Sequence, residues 1–152
     1  MPSDPVFLQA QKAIADAIEA DYTGGYSGLD LSGTGTIVRG AMPDAPLVPS
    51  GCVVMLDCAE TQGRTLGFYS GTITYEIYGF IGGGSVSDRN DNAIRLGADF
   101  INALTTDRSL GLTTIDDILC SFAALDGDRF GVQSCGIAYV RVEVTFQNSS
   151  GV

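Results

Sequence analysis

The sequence predicts an α+β fold: a four- to five-stranded antiparallel or mixed sheet with two amphipathic helices packed on one face. Three observations carry this. Two stretches repeat apolar residues at helical spacing, near the start and again after residue 88. Two others, "GTITYEIYGFIG" and "IAYVRVEVTF", alternate apolar and polar side chains as half-buried strands do. The order is helix, two short strands, a long strand, helix, then two strands, which is not the regular alternation of a parallel α/β protein.

The first helix spans 5–20, with Asp4 as N-cap and Pro5 at the first helical position. Phe7, Ala10, Ile14, Ala17 and Ile18 form its apolar stripe. "YTGGYSGLDLSGTG" follows as a glycine-rich surface loop, and "TIVRGAM" as a short strand. "PDAPLVPSG" holds three prolines and reads as a rigid extended excursion. In "CVVMLDC" the even positions Cys52, Val54, Leu56 and Cys58 are apolar, so they are expected to form a buried strand face. "AETQGRTLG" is a polar connection to the long strand, where Ile73, Tyr75, Ile77 and Ile81 face the core and Thr72, Thr74, Glu76 and Tyr78 face water.

The second helix is expected over 89–105, capped by Ser87 or Asp88, with Asp91 in its first turn and a stripe of Ile94, Gly97, Ile101 and Leu104. A strand at 118–124 and a turn-rich loop "DGDRFGVQSCG" lead to the last strand. There Ala138, Val140, Val142, Val144 and Phe146 face in, while Tyr139, Arg141, Glu143 and Thr145 face out. Residues 147–152 read as a flexible tail of a single domain, 1–152. Glu76 and Arg141 should share the wet side, paired if their strands are neighbours. Tyr78, Phe80, Ile137 and Tyr139 could join into an outer apolar patch for a partner.

Composition narrows the chemistry. Eight basic residues against 18 acidic ones give a formal net charge of −10, which repels polyphosphate and argues against gripping nucleic acid. An acidic wall that DNA slides past remains compatible. No apolar run approaches the roughly 18 residues of a membrane span, and "MPSDPVF" lacks the pattern of a signal peptide, so no membrane partner is expected. There is no histidine, and Cys52, Cys58, Cys120 and Cys135 have no zinc-type spacing. In a strand, Cys52 and Cys58 would lie about 20 Å apart, beyond disulfide reach. All four are expected to be free, mostly buried thiols.

The strand–glycine–helix stretch invites a phosphate-binding reading. Gly82, Gly84 and Ser87 miss the third glycine of a dinucleotide fingerprint, no P-loop lysine is present, and Asp88 and Asp91 put negative charge where phosphate would sit. A loop entering a capped helix is the expected reading. Asp88, Asn90 and Asn92, or Asp126 and Asp128, resemble pieces of a calcium loop but lack its glycine and its glutamate, so turn and cap roles are expected. Asp116 and Asp117 are adjacent on a strand, point to opposite faces and read as solvated. No G-x-S-x-G elbow exists, and Lys12 reads as solvent-facing. No catalytic, cofactor-binding or metal-ligating residue is assigned, and an enzyme is not expected.

The succession of N-terminal helix, Pro-rich loop and strand, "TITYEIYGFI", "NAIRLGADFINALTTD", "ILCSFAAL" and "IAYVRVEVTF" resembles the tail terminator proteins of tailed bacteriophages over nearly the whole chain. The resemblance lies in size, element order and pattern. It implies a structural virion protein whose copies form a ring, usually of six, that caps the tail tube at the tail–neck junction after assembly in the host cytoplasm. It also implies contacts with the major tail tube protein and a head-side neck or connector protein, with DNA passing through unbound. Loops 22–35, 40–50, 59–69 and 82–87 are the expected contact regions. A different neck, tail-completion or tube component is the neighbouring reading. A cytoplasmic small-ligand-binding or hydrolytic domain is the reading of another class.

Overall fold

Apolar periodicity sorts the chain into two helices and five strands, and the way these pack follows from where glycine lets them approach. The computed structural model describes residues 4–20, 25–27, 36–40, 48–65, 68–131 and 134–148. Helix α1 is Val6–Ala20, strand β1 Ile37–Arg39, β2 Ser50–Thr65, β3 Phe68–Gly82, helix α2 Val86–Thr105, β4 Ile115–Asp126 and β5 Cys135–Asn148, with a 3-10 turn at Gly127–Phe130. The sheet order is β1-β2-β3-β5-β4. β1 runs parallel to β2 and every other neighbouring pair is antiparallel, so the sheet is mixed, within the expected α+β class.

Both helices cover one face. α1 packs on β1 and β2, α2 on β3, β4 and β5, and the helices touch each other. Val6, Ala10, Ile14 and Ile18 of α1 join Ile73, Tyr75, Ile77, Val140, Val142, Val144 and Phe146 in one core, so the inward rows expected of β3 and β5 hold, whereas Thr74, expected to face water, is buried on the outer face. Helix α1 begins with Pro5 in the capping position, its carbonyl accepting from the Leu8 and Gln9 amides at 3.0 Å. Asp4, expected as the N-cap, instead pairs with Lys12 at 2.6 Å.

Helix α2 starts earlier than expected. Ser85 is its N-cap, the hydroxyl accepting from the Asp88 amide at 3.1 Å, so neither Ser87 nor Asp88 caps it and Asp91 lies past the first turn. Its buried stripe is Ala93, Leu96, Gly97, Phe100, Ala103 and Leu104, whereas Ile94, expected inside, is exposed and Ile101 half-buried. Close approach of two glycines sets this rotation. A Cβ on Gly79 would stand 2.5 Å from the Phe100 ring, and one on Gly97 only 1.9 Å from the Phe122 ring. The face that fits is therefore the one bearing Phe100 and Leu96.

Strand β2 departs most from expectation. Cys52 and Val54 lie opposite Tyr78 and Glu76, hence on the outer face, while Val53 opposite Ile77 enters the main core. A bulge between Met55 and Asp57 then swaps the parity and puts Cys58 opposite inward-facing Ile73; Leu56 and Cys58 are both exposed, and the expected buried row of even positions does not exist. The polar connection expected at 59–69 is largely strand, since Ala59 pairs with Thr72 and Thr65 with Phe68. The end of β5 also reaches further than expected, with Gln147 opposite Ser70 and Asn148 opposite Tyr69, so only 149–152 of the expected tail lie outside the described residues. β4 runs 115–126, longer at both ends than the expected 118–124.

The two sides of the sheet are finished differently. At one border the short β1 pairs with β2 only over Ile37–Arg39, whereas at the other β4 pairs with β5 regularly from Asp117 to Asp126. The outward side of β4 has no strand partner among the described residues, and its run Ile118–Leu125 contains no charge, proline or glycine.

Candidate functional site

Surfaces of four kinds are candidates: the glycine loop before α2, the turn at residues 25–27, the outer face of the sheet, and a cleft beside α1.

The glycine loop is closed onto its own helix. Ser85 engages the Asp88 amide through its hydroxyl and the Arg89 amide through its carbonyl, at 3.1 and 3.0 Å, and Asn92 Nδ2 donates to the Gly82 carbonyl at 2.9 Å. A Cβ on Gly83 would meet the Arg89 nitrogen at 2.7 Å. Two of the amides at this helix start, those of Asp88 and Arg89, are thus already in use, and Asp88 adds negative charge in the first turn. Asp88, Asn90 and Asn92 sit at alternate positions of α2, which leaves Asp88 and Asn92 on one face and turns Asn90 to the opposite one. Asp126 and Asp128 face Arg89 instead, with Nε 3.7 Å from Asp126 Oδ1 and Nη2 3.4 Å from Asp128 Oδ2. Arg89 is 9% exposed, so this ion pair ties the start of α2 to the β4–β5 connection. Among the described residues no group of three His, Cys, Asp or Glu side chains could hold a metal ion.

Asp116 and Asp117 are both exposed; Asp116 is the extra residue of the bulge after Ile115, and Asp117 opens the regular ladder opposite Thr145. Asp117 accepts from Arg108 Nε at 2.6 Å, and that hydrogen bond holds its carboxyl below the usual carboxylate range. Lys12 is half-exposed and bound to Asp4.

A second feature has no counterpart in the sequence expectations. Asp99, on α2, is only 7% exposed, and its oxygens accept from the Tyr26 amide at 2.7 Å, the Ser27 amide at 2.9 Å and the Ser27 hydroxyl at 2.7 Å. Gly25 is required here, because a Cβ would stand 2.3 Å from Asp99 Oδ1. The turn wraps a buried carboxylate and leaves the Tyr26 ring 71% exposed. The signal in the sequence is an aspartate between Leu96 and Phe100 on the apolar stripe of a helix. The rest of the loop expected at 22–35, and most of the one at 40–50, lies outside the described residues.

The outer sheet face holds the expected patch in altered form. Phe80 and Ile137 are fully buried with Cys52 and Cys135 in a second small core, flanked by Val54, Tyr78 and Leu125. Beyond it Tyr78 and Tyr139 stand side by side, ring centroids 5.4 Å apart, and both hydroxyls donate to Glu76. Burial and the hydrogen bond to Glu76 push both phenols up from their ordinary value. Arg141 lies opposite Glu76 but approaches Glu143 instead, at 3.6 Å, so the expected Glu76–Arg141 pair does not form although both share the outer face. No disulfide joins the four cysteines; Cys52 and Cys135 are buried, Cys120 half-buried and Cys58 exposed. Burial pushes the Cys52 thiol up to about 11.

The cleft, of about 560 Å³, lies between α1 and the turn joining α2 to β4. Ala13, Ala17, Leu110 and Leu112 line it together with Lys12 and Asp16.

No helix among the described residues is long and apolar enough to cross a membrane. No protein-family model and no curated protein matches the sequence. Among solved structures, the chain is similar to one described as the virion of a native gene transfer agent particle, with a TM-score of 0.61 and 12% sequence identity, covering 95% of this chain and 100% of that one. At that identity the likeness is one of fold, and it extends over the whole architecture rather than a fragment of it.

Proposed function

We propose that this chain is a structural virion protein, a tail terminator whose copies close into a six-membered ring. The ring caps the tail tube, contacts the major tail tube protein on one side and a head-side neck or connector protein on the other, and lets DNA pass. The observation that carries the reading is the full-length fold likeness to a chain of a gene transfer agent virion particle, 95% of one and 100% of the other. Its acidic balance fits a wall that DNA crosses without adhering. A head-to-tail ring needs two different patches on each copy, and this chain offers several unlike surfaces.

The test is native mass across protein concentration and salt, with negative-stain images of the assembled fraction, then pelleting with purified tail tubes. Rings of six with a central hole that bind only tube ends are expected. Rings that stack, or that bind a head-side connector and ignore tubes, would favour a tube or neck component instead. A strict monomer that leaves tubes uncapped would remove the reading.

A further inference from the structure

Strand β4 turns the backbone groups of alternate residues away from the sheet, and one of those positions is already filled. The Gln147 amide donates to the Thr114 carbonyl at 2.8 Å, so on β5 it is Gln147, Thr145, Glu143 and Arg141 that direct their backbone groups to the β4 side. Their partners Asp117, Leu119 and Ser121 therefore bond to β5. Ile118, Cys120, Phe122 and Ala124 present their amides and carbonyls on the other side, where no strand lies among the described residues.

At Ile118 both groups are taken. Arg108, in the turn between α2 and β4, donates from Nη2 to the Ile118 carbonyl. Its Nε donates to Asp117 Oδ1 at 2.6 Å, and the Asp117 carboxylate also accepts from the Ile118 amide. A donor and an acceptor joined by their own ion pair thus meet one carbonyl and one amide, which is what a residue of an adjoining strand would offer. The opposite edge is finished in a related way. Where β1 ends, the Val53 carbonyl of β2 receives the Gly40 amide at 2.9 Å and the Gln11 side chain of α1 at 3.0 Å.

We propose that the Arg108–Asp117 pair is a plug on the sheet edge, imitating an adjoining residue at Ile118 and so holding off an extended segment of a second copy of this chain. Such a segment must displace both side chains to pair along the whole of β4, and otherwise keeps only the positions beyond Ile118. The plug works by occupancy, since its two charges cancel. It stands independently of the virion reading.

The probe is a labelled peptide of residues 137–146, the stretch of β5 that already pairs antiparallel with β4. It is titrated against the natural chain, Arg108→Ala and Asp117→Asn. The two substitutions move the net charge in opposite directions while both break the plug. The side chains concerned are 48% and 58% exposed, so the fold does not rest on them, and thermal unfolding checks that each variant is folded. Both variants should bind the peptide at least roughly tenfold more tightly than the natural chain, with the Cys120, Phe122 and Ala124 amides protected from hydrogen exchange in the complexes. Equal binding by the three folded proteins would overturn the plug. So would a gain confined to one variant, which would trace it to net charge, or binding that leaves the β4 amides unprotected.

Discussion

Glu76 and Arg141 stand directly opposite each other on neighbouring strands, yet Glu76 takes its hydrogen bonds from the hydroxyls of Tyr78 and Tyr139 and leaves Arg141 to Glu143. The carboxylate is thus the hub of a small aromatic cluster on the outer face. Replacing it with alanine deprives two half-buried hydroxyls of their acceptor. Glu76→Ala should cost about 1 kcal/mol in urea unfolding. It should also lower the alkaline titration of Tyr78 and Tyr139, read by phenolate absorbance. A variant whose tyrosines titrate as before would show that burial alone raises them.

Tyr75, Tyr78 and Tyr139 all have phenols pushed up, chiefly by burial. Tyr75 also donates to the Phe7 carbonyl at 2.6 Å. A group raised in the folded state contributes stability that is complete below its unfolded value and is lost as pH climbs towards the folded one. Unfolded thiols ionise near about pH 8.5 and tyrosine near about pH 10, and burial also pushes up Cys52, Cys120 and Cys135, so stability should begin to fall above about pH 8.5 and fall more steeply above about pH 10. Chemical denaturation at a series of alkaline pH values would show no steepening above about pH 10 if these phenols were ordinary.

Gly79 is packed under two side chains that have nowhere to go. A Cβ there would meet Phe100 at 2.5 Å and Leu96 at 2.8 Å, and both are fully buried. Gly79→Ala should therefore destabilise by roughly 1–3 kcal/mol, despite alanine's smaller loss of backbone entropy on folding. A gain in melting temperature would mean that α2 can shift off the sheet without cost.

Removing Asp99 strips the 25–27 turn of the hydrogen bonds to the Tyr26 and Ser27 amides and the Ser27 hydroxyl. Asp99→Ala should cost about 1–3 kcal/mol and speed hydrogen exchange at the Tyr26 and Ser27 amides. Unchanged exchange at those two amides would mean the turn has enough support elsewhere.

Arg89 links α2 to Asp126 and Asp128, whose side chains are 29% and 54% exposed. Because those carboxylates remain partly hydrated once the guanidinium is gone, Arg89→Ala should cost less than breaking a fully buried pair, about 1–3 kcal/mol. Arg89→Met keeps much of the apolar stem and should cost less again. A methionine variant less stable than the alanine one would argue against this division of roles.

Much of the fold was legible because β3 and β5 obey a strict period of two and both helices have clear stripes. Ile73, Tyr75 and Ile77 fall inside as alternation requires, and so do Val140, Val142 and Val144. Three kinds of detail were not legible. The bulge in β2 shifts parity by one, and nothing in "CVVMLDC" marks where it falls. The rotation of α2 depends on two glycines in contact with aromatic rings, which needs the partners' positions as well as the helix's own period. The grip of Asp99 on Tyr26 and Ser27 joins residues 73 and 72 positions apart, and no local pattern encodes it.

The uncharged outward side of β4 has a consequence for how this protein can fail. A strand border without charge, proline or glycine accepts a stray extended segment through its open amides and carbonyls. At the opposite border the short β1 is laid on β2 only over Ile37–Arg39, a far briefer template. The two borders are therefore unequal hosts, and mistaken pairing is expected to begin at β4.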